Sequence, residues 1–175
     1  AITAENKDNY PIDFIGALAY DSINNGMWIG ANQGLFFYDL KHKQLCSPFA
    51  NRAAEDIRGC IGSIIDKNGQ LWIGCLDGVY IIDLHSRPAS SSDGVFRYRH
   101  LKYKLDDPSS GLIEKICCFY EAQDGILWLG SNGYGIYKCM QDERGEVQFI
   151  CYNSLHGLPD NSIRGILEDD KGYIW

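Results

Sequence analysis

The chain has 175 residues, with 16 basic and 23 acidic side chains, and so carries a formal charge of −7. That balance excludes broad binding to nucleic acid or to an anionic membrane surface, both of which need a positive face. No apolar run approaches the ~18 residues of a membrane-spanning helix, and Ala1–Asp13 is mixed and polar, without a signal-peptide pattern. Apolar residues make up 45% of the chain, enough for the core of a single unit spanning 1–175. Aromatics reach 13% and there are 19 glycines, a combination that suits pleated surfaces joined by tight turns.

Taken in chain order, the elements repeat. An apolar ladder at three-residue steps, Ile15, Leu18, Asp21, predicts a first strand. Asp21-Ser-Ile-Asn-Asn-Gly26-Met-Trp28-Ile-Gly30 then gives a turn and a second strand, Gly34-Leu-Phe-Phe-Tyr-Asp39 a third, and Gln44–Phe49 a more polar fourth. The second unit reads Cys60, Ser63, Asp66, then Asp66-Lys-Asn-Gly69-Gln-Leu-Trp72-Ile-Gly74, Gly78-Val-Tyr-Ile-Ile-Asp83 and Val95–Lys102. An insertion around His85–Gly94, rich in Ser, reads as a flexible hairpin tip. The third unit runs through Ile116, Phe119 and Ala122, then Gly125-Ile-Leu-Trp128-Leu-Gly130, Gly135-Ile-Tyr-Lys-Cys139 and Glu146–Asn153. A fourth opens with Ile163, Ile166, Asp169, Gly172 and Trp175. The units fall at about 14–56, 57–111, 112–160 and 161–175, and their tryptophans stand 44, 56 and 47 residues apart.

Four short strands per unit, with Asp-x-x-Gly turns in which Asp bonds backbone amides and Gly takes positive φ, predict an all-β fold. Repeated units of this length predict a partial β-propeller of four-stranded antiparallel blades, about three and a half of them, with the ring not closed by this chain. Trp28, Trp72, Trp128 and Trp175 are expected to pack between blades. An open arc leaves blade faces and strand edges exposed, which admits two outcomes: a homodimer that covers those faces, or an arc that stays open.

The seven cysteines (Cys46, Cys60, Cys75, Cys117, Cys118, Cys139, Cys151) show no zinc spacing and sit mostly in apolar runs, which predicts buried, free thiols. Strand alternation should point the adjacent Cys117 and Cys118 to opposite faces. The redox compartment stays open. No metal site, cofactor motif or catalytic constellation emerges: the four histidines occupy different blade positions, and Asp106-Asp107 and Asp169-Asp170 lie on loops or turns. An EF-hand reading fails because glycine comes at position four, not six.

Gly157-Leu-Pro-Asp-Asn161-Ser-Ile163-Arg-Gly-Ile166-Leu-Glu-Asp169-Asp-Lys-Gly172-Tyr-Ile-Trp175 resembles the two-component regulator propeller repeat. The resemblance extends from about Phe14 onward and rests on Trp28, Gly30, Asp66, Gly69, Trp72, Gly74, Gly125, Trp128, Gly130, Asp169, Gly172 and Trp175. Ala31, Cys75 and Ser131 depart from the threonine the family often has, and the first turn is irregular. The Gly-His and Trp-Asp pattern of WD repeats is missing, and the sialidase-type Asp-box has one residue between Asp and Gly where this chain has two.

The resemblance implies a non-catalytic sensor segment in the periplasmic part of a hybrid two-component regulator, often one answering to oligosaccharides. Kinase, receiver and DNA-binding modules, and any membrane anchor, would belong to the parent. On the loops joining strands two to three and four to one (among them 51–58, 106–112 and 155–161), a carbohydrate would be met by aromatic and planar polar groups. Asn32, Gln33, Arg58, Asp77, Asn132, Tyr134 and Arg164 are the candidates. The alternative reading is a scaffold or dimerisation propeller without ligand contact.

Overall fold

The computed structural model describes residues 14–46, 48–49, 57–86, 96–102, 115–142 and 145–175. Among these, twelve strands form three antiparallel meanders. Blade 1 is β1 (Ile15–Asp21), β2 (Gly26–Ala31), β3 (Leu35–Asp39) and β4 (Gln44–Cys46). Blade 2 is β5 (Gly62–Ile65), β6 (Gln70–Cys75), β7 (Gly78–Asp83) and β8 (Arg97–Leu101). Blade 3 is β9 (Ile116–Glu121), β10 (Leu127–Ser131), β11 (Ile136–Gln141) and β12 (Val147–Tyr152). In the fourth repeat Leu167 and Trp175 exchange backbone hydrogen bonds of 3.0 and 2.8 Å, the opening of another hairpin. The loops 51–56 and 106–112, and most of the His85–Gly94 insertion, lie outside the described residues.

Strand alternation splits each blade into two apolar faces. Trp28, Leu35 and Phe37 of blade 1 pack on Leu71, Ile73, Cys75, Tyr80 and Ile82 of blade 2. The other face of blade 2, with Trp72, Val79 and Ile81, packs on Leu127, Leu129, Tyr137 and Cys139 of blade 3. Trp28 and Trp72 are 0% and 1% exposed. Each contributes about 4–6 kcal/mol of transfer free energy, before conformational entropy is subtracted. Trp128 stands on the face of blade 3 turned away from blade 2. It is half-buried, 6.1 Å from the Tyr152 ring and 5.8 Å from Lys138 Nζ. Trp175 is 71% exposed, so two of the four tryptophans pack between blades as the sequence predicts.

What orients each tryptophan is the turn before it. Asp66 Oδ1 accepts from the backbone N–H of Asn68 at 3.0 Å and of Gln70 at 2.8 Å, while Oδ2 accepts from the Trp72 indole at 2.9 Å. Asp169 makes the same three bonds with Lys171, Tyr173 and Trp175. The indole bond, with the two backbone donors, holds the Asp169 carboxyl below the usual carboxylate range. Gly69 and Gly172 close these turns at φ of 72° and 81°. The first turn is one residue longer: Asn25 takes the positive φ, at 50°, and Asp21 still reaches the Trp28 indole at 3.1 Å. In the third repeat Ala122 replaces the aspartate. The backbone turn survives, with Gly125 N–H donating to Ala122 O at 2.9 Å.

A second device joins the blades. The glycine two residues after each tryptophan leaves a notch that the next blade's first strand fills. A Cβ on Gly30 would stand 2.6 Å from Cys60 Cβ, on Gly74 2.0 Å from Ile116 O, and on Gly130 2.7 Å from Ile163 Cγ2. Glutamates add clasps across the seams: Glu121 accepts from Lys67 N–H at 3.0 Å and Glu168 from Gln123 N–H at 2.8 Å.

Removing the turn carboxylate strands a buried indole N–H and two backbone amides. Asp66→Ala is therefore expected to lower the unfolding free energy by about 2–4 kcal/mol. Asp169→Ala, beside an exposed tryptophan, should cost under half of that. Urea unfolding followed by tryptophan fluorescence measures both.

Candidate functional site

In a four-stranded meander the turns between strands one and two and between three and four lie at one end. The two-to-three turns and the links to the next blade lie at the other. The seven candidate contacts all belong to this second end, and the fold sorts them into three places. At the seam of blades 1 and 2, Asn32 N–H donates to Phe14 O at 3.1 Å and Asn32 O accepts from Gly59 N–H at 3.3 Å. This sets exposed Arg58 beside the Asn32–Gln33 turn.

At the seam of blade 3 and the fourth repeat, Asn132 pairs with Ser162, and Asn161 O accepts from Gly133 and Gly135 N–H at 3.2 and 2.8 Å. Half-buried Tyr134 is held by Ser131 Oγ, which accepts its N–H at 3.0 Å, and Lys115 Nζ lies 5.9 Å from its ring centre. Exposed Arg164 follows two residues after Ser162. Its charge assists the Ser162 N–H, the larger influence, in holding Asp160 below the usual carboxylate range. Asn132 and Arg164 thus stand on this seam, while the Tyr134 ring packs on the apolar cluster shared by blades 2 and 3.

Asp77, the third place, is engaged within its own blade. Its Oδ2 lies 3.5 Å from His100 Nε2 and 3.7 Å from Lys102 Nζ, and the His100 ring stacks on Tyr80 at 3.7 Å. Burial lowers the affinity of His100 for a proton, with Lys102 adding to the effect and Asp77 opposing it. Burial first, then the Asp77 charge, raises the Tyr80 hydroxyl well above its usual range.

The opposite end holds two adjoining hollows between blades 2 and 3, and none of the seven candidates lines them. The larger, about 620 Å³, is bordered by the Asp66–Gln70 turn, the Glu121–Ile126 turn and the Met140–Gly145 segment. The smaller, about 370 Å³, is lined by Asp83, Arg97, Tyr98 and Arg99. Gln70, Gln141 and Gly145 border both. Gly145 O accepts from Arg99 Nη1 at 2.5 Å and from Gln141 Nε2 at 3.4 Å. Gln70 Oε1 is buried with no hydrogen-bond partner. The sequence signal for this groove is slight: polar residues at the ends of strands look like ordinary solvated positions until two blades are set side by side. Among the described residues no group of three or more His, Cys, Asp or Glu could hold a metal ion.

The lowered proton affinity of His100 fixes a direction with pH. The folded chain binds the proton less readily than the unfolded one, so stability is intact above pH 6.5 and declines as pH falls below it. The slope this residue contributes is at most about 1.4 kcal/mol per pH unit. Thermal melts between pH 7.5 and 5.5 should show that decline, and His100→Phe, which keeps the ring on Tyr80, should flatten it.

Comparison with known proteins places these features. Residues 110–133 and 157–175 match the two component regulator propeller family. No protein of curated function matches the chain. The fold is similar to the extracellular domain of the putative hybrid two component system BT3049 from B. thetaiotaomicron, at a TM-score of 0.65 and 22% identity over 93% of this chain and 20% of that one. It is also similar to the extracellular domain of the putative system BT4673 of the same organism, at 0.52 and 18% over 98% of this chain and 27% of that one. Virginiamycin B lyase from Staphylococcus aureus shares the fold at 0.51 and 14%, over 93% of this chain and 48% of the lyase. The chain thus spans about a fifth to a half of the structures it matches. These likenesses establish a propeller fold of open four-stranded blades. The likeness to the two-component regulator propeller family rests on the repeats at 110–133 and 157–175.

Proposed function

We propose that the chain is a non-catalytic sensor segment from the periplasmic part of a hybrid two-component regulator, and that it takes an oligosaccharide. The observation that carries this reading is the family's repeat, matched at 110–133 and 157–175 in a chain folded as four-stranded blades. The end of the blades that carries Asn132, Tyr134 and Arg164 offers what a sugar needs: an aromatic ring for its apolar face, and planar amide and guanidinium groups for its hydroxyls. Ligand would act by binding one arrangement of the sensor more tightly than another, shifting a kinase elsewhere in the parent chain. Membrane attachment would likewise belong to the parent, and no nucleic acid is involved.

One observation favours a second reading, a scaffold that dimerises without touching ligand. Ile150 and Tyr152 on the outer strand of blade 3 are 41% and 36% exposed. Apolar groups so placed suit a second copy of the chain.

Titration calorimetry with a panel of plant and host oligosaccharides tests the first reading, alongside light scattering over a concentration series. Saturable binding that weakens at least tenfold, about 1.4 kcal/mol, in Tyr134→Ala or Arg164→Ala is the expected result. Binding lost instead in Gln141→Ala would move the site to the groove between blades 2 and 3. A concentration-dependent dimer that binds no sugar, and dissociates in Ile150→Lys, would establish the scaffold.

A further inference from the structure

Cys60 and Cys75 stand apart from the other thiols. Both are 0% exposed, and the Cys75 thiol donates to Cys60 Sγ at 3.6 Å, with Cys60 in turn aimed at Ile57 O at 3.7 Å. They flank the start of one strand and the end of its neighbour: Ile61 N–H donates to Gly74 O at 2.9 Å, so the two cysteines sit on adjoining positions across the β5–β6 ladder. Cys60 is also the residue seated against the notch of Gly30, at the seam of blades 1 and 2. No rearrangement of the backbone topology is needed to bring the sulfurs to bonding distance, only about 1.5 Å of approach by two short side chains.

We propose that Cys60 and Cys75 are a modification site, oxidised to a disulfide that staples the first two strands of blade 2 at the seam with blade 1. The oxidant is a low-molecular-weight or protein disulfide. One thiolate attacks it and releases a thiol, leaving a mixed disulfide, and the second thiolate displaces the remaining half. The protein loses two protons and two electrons, and the oxidant leaves as two thiols. The Cys60 contact, with burial, raises the Cys75 thiol far above its usual range, which makes it a poor nucleophile, and both sulfurs are sealed from solvent. Oxidation therefore belongs to folding, before blades 1 and 2 close over the sulfurs, and the finished bond is shielded from reductant by the same burial.

Cys117 and Cys118 also touch, but they are sequence neighbours whose bond would close only a small strained ring, and both thiols turn toward Ile163 O, at 3.1 and 3.8 Å. Cys151 donates to Tyr134 O at 3.4 Å. The pairing rests on geometry alone. Only its occurrence in the cell rests on the periplasmic reading, since that compartment is oxidising.

The test refolds the purified chain in oxidised and reduced glutathione, then alkylates it under denaturing, non-reducing conditions. The expected product has five reactive thiols of the seven, and trypsin, which cuts after Lys67, yields a cross-linked pair of peptides carrying Cys60 and Cys75. Oxidised protein should melt about 6–12 °C above the same protein in dithiothreitol, and Cys60→Ala/Cys75→Ala should abolish that difference. Seven reactive thiols in the oxidising buffer, or a cross-link that omits either cysteine, overturns the proposal. So does a dithiothreitol effect of equal size in the double variant. The sugar titration above is indifferent to each of these outcomes, so the two readings fail separately.

Discussion

A carboxylate in a four-residue turn, holding an indole N–H, is the interaction on which the architecture depends. One oxygen of Asp66 or Asp169 shapes the turn by accepting two backbone amides, and the other points the tryptophan. The tryptophan cannot both lie flat between blades and leave its N–H unsatisfied, because burying a lone donor costs about 1–3 kcal/mol. The aspartate thus lets a large, partly polar side chain serve as interior packing. The third repeat does without the carboxylate: Ala122 stands at the position, and Trp128 lies over Tyr152 and Lys138.

Once the tryptophan is placed, the rest of the blade follows from alternation. The residues beside it on the same face of the sheet meet the next blade, and those between them meet the previous one. This is why a single blade has no independent core and why the strands read as nearly continuous apolar runs such as Val79–Ile82. Both faces are interior. The polar alternation of an ordinary surface strand returns at the outer strands, as in the exposed and half-exposed sequence of β12.

Much of this was legible in the residues. The period, the four-strand unit and the turn chemistry are local patterns, and local patterns survive in sequence. Strand ends were less so: the fourth strands are shorter than the polar runs suggest, three residues at Gln44–Cys46 and five at Arg97–Leu101, because pairing with the third strand limits them. Alternation predicted that Cys117 and Cys118 would diverge, yet a register shift opposite Gly130–Ser131 turns both thiols to one carbonyl. The candidate contacts were assigned to the correct kind of loop, but nothing in the spacing says which of them share a seam. Asp77 illustrates the gap. Its partners His100 and Lys102 lie more than twenty residues away, beyond an insertion, and only strand pairing brings them to it.

The glycine notch ties each blade to the one next to it in sequence. The recess comes from the second strand of one blade and the group that meets it from the chain at or next to the first strand of the following one, at separations of 30, 42 and 33 residues for Gly30–Cys60, Gly74–Ile116 and Gly130–Ile163. Contacts this short in sequence form early and cheaply. In the fourth repeat Ile163 sits against Gly130 in the same way, and its N–H donates to Ser131 O at 2.9 Å. Each seam is therefore keyed by the blade next in sequence, and no blade needs a distant stretch of chain to hold it to its neighbour.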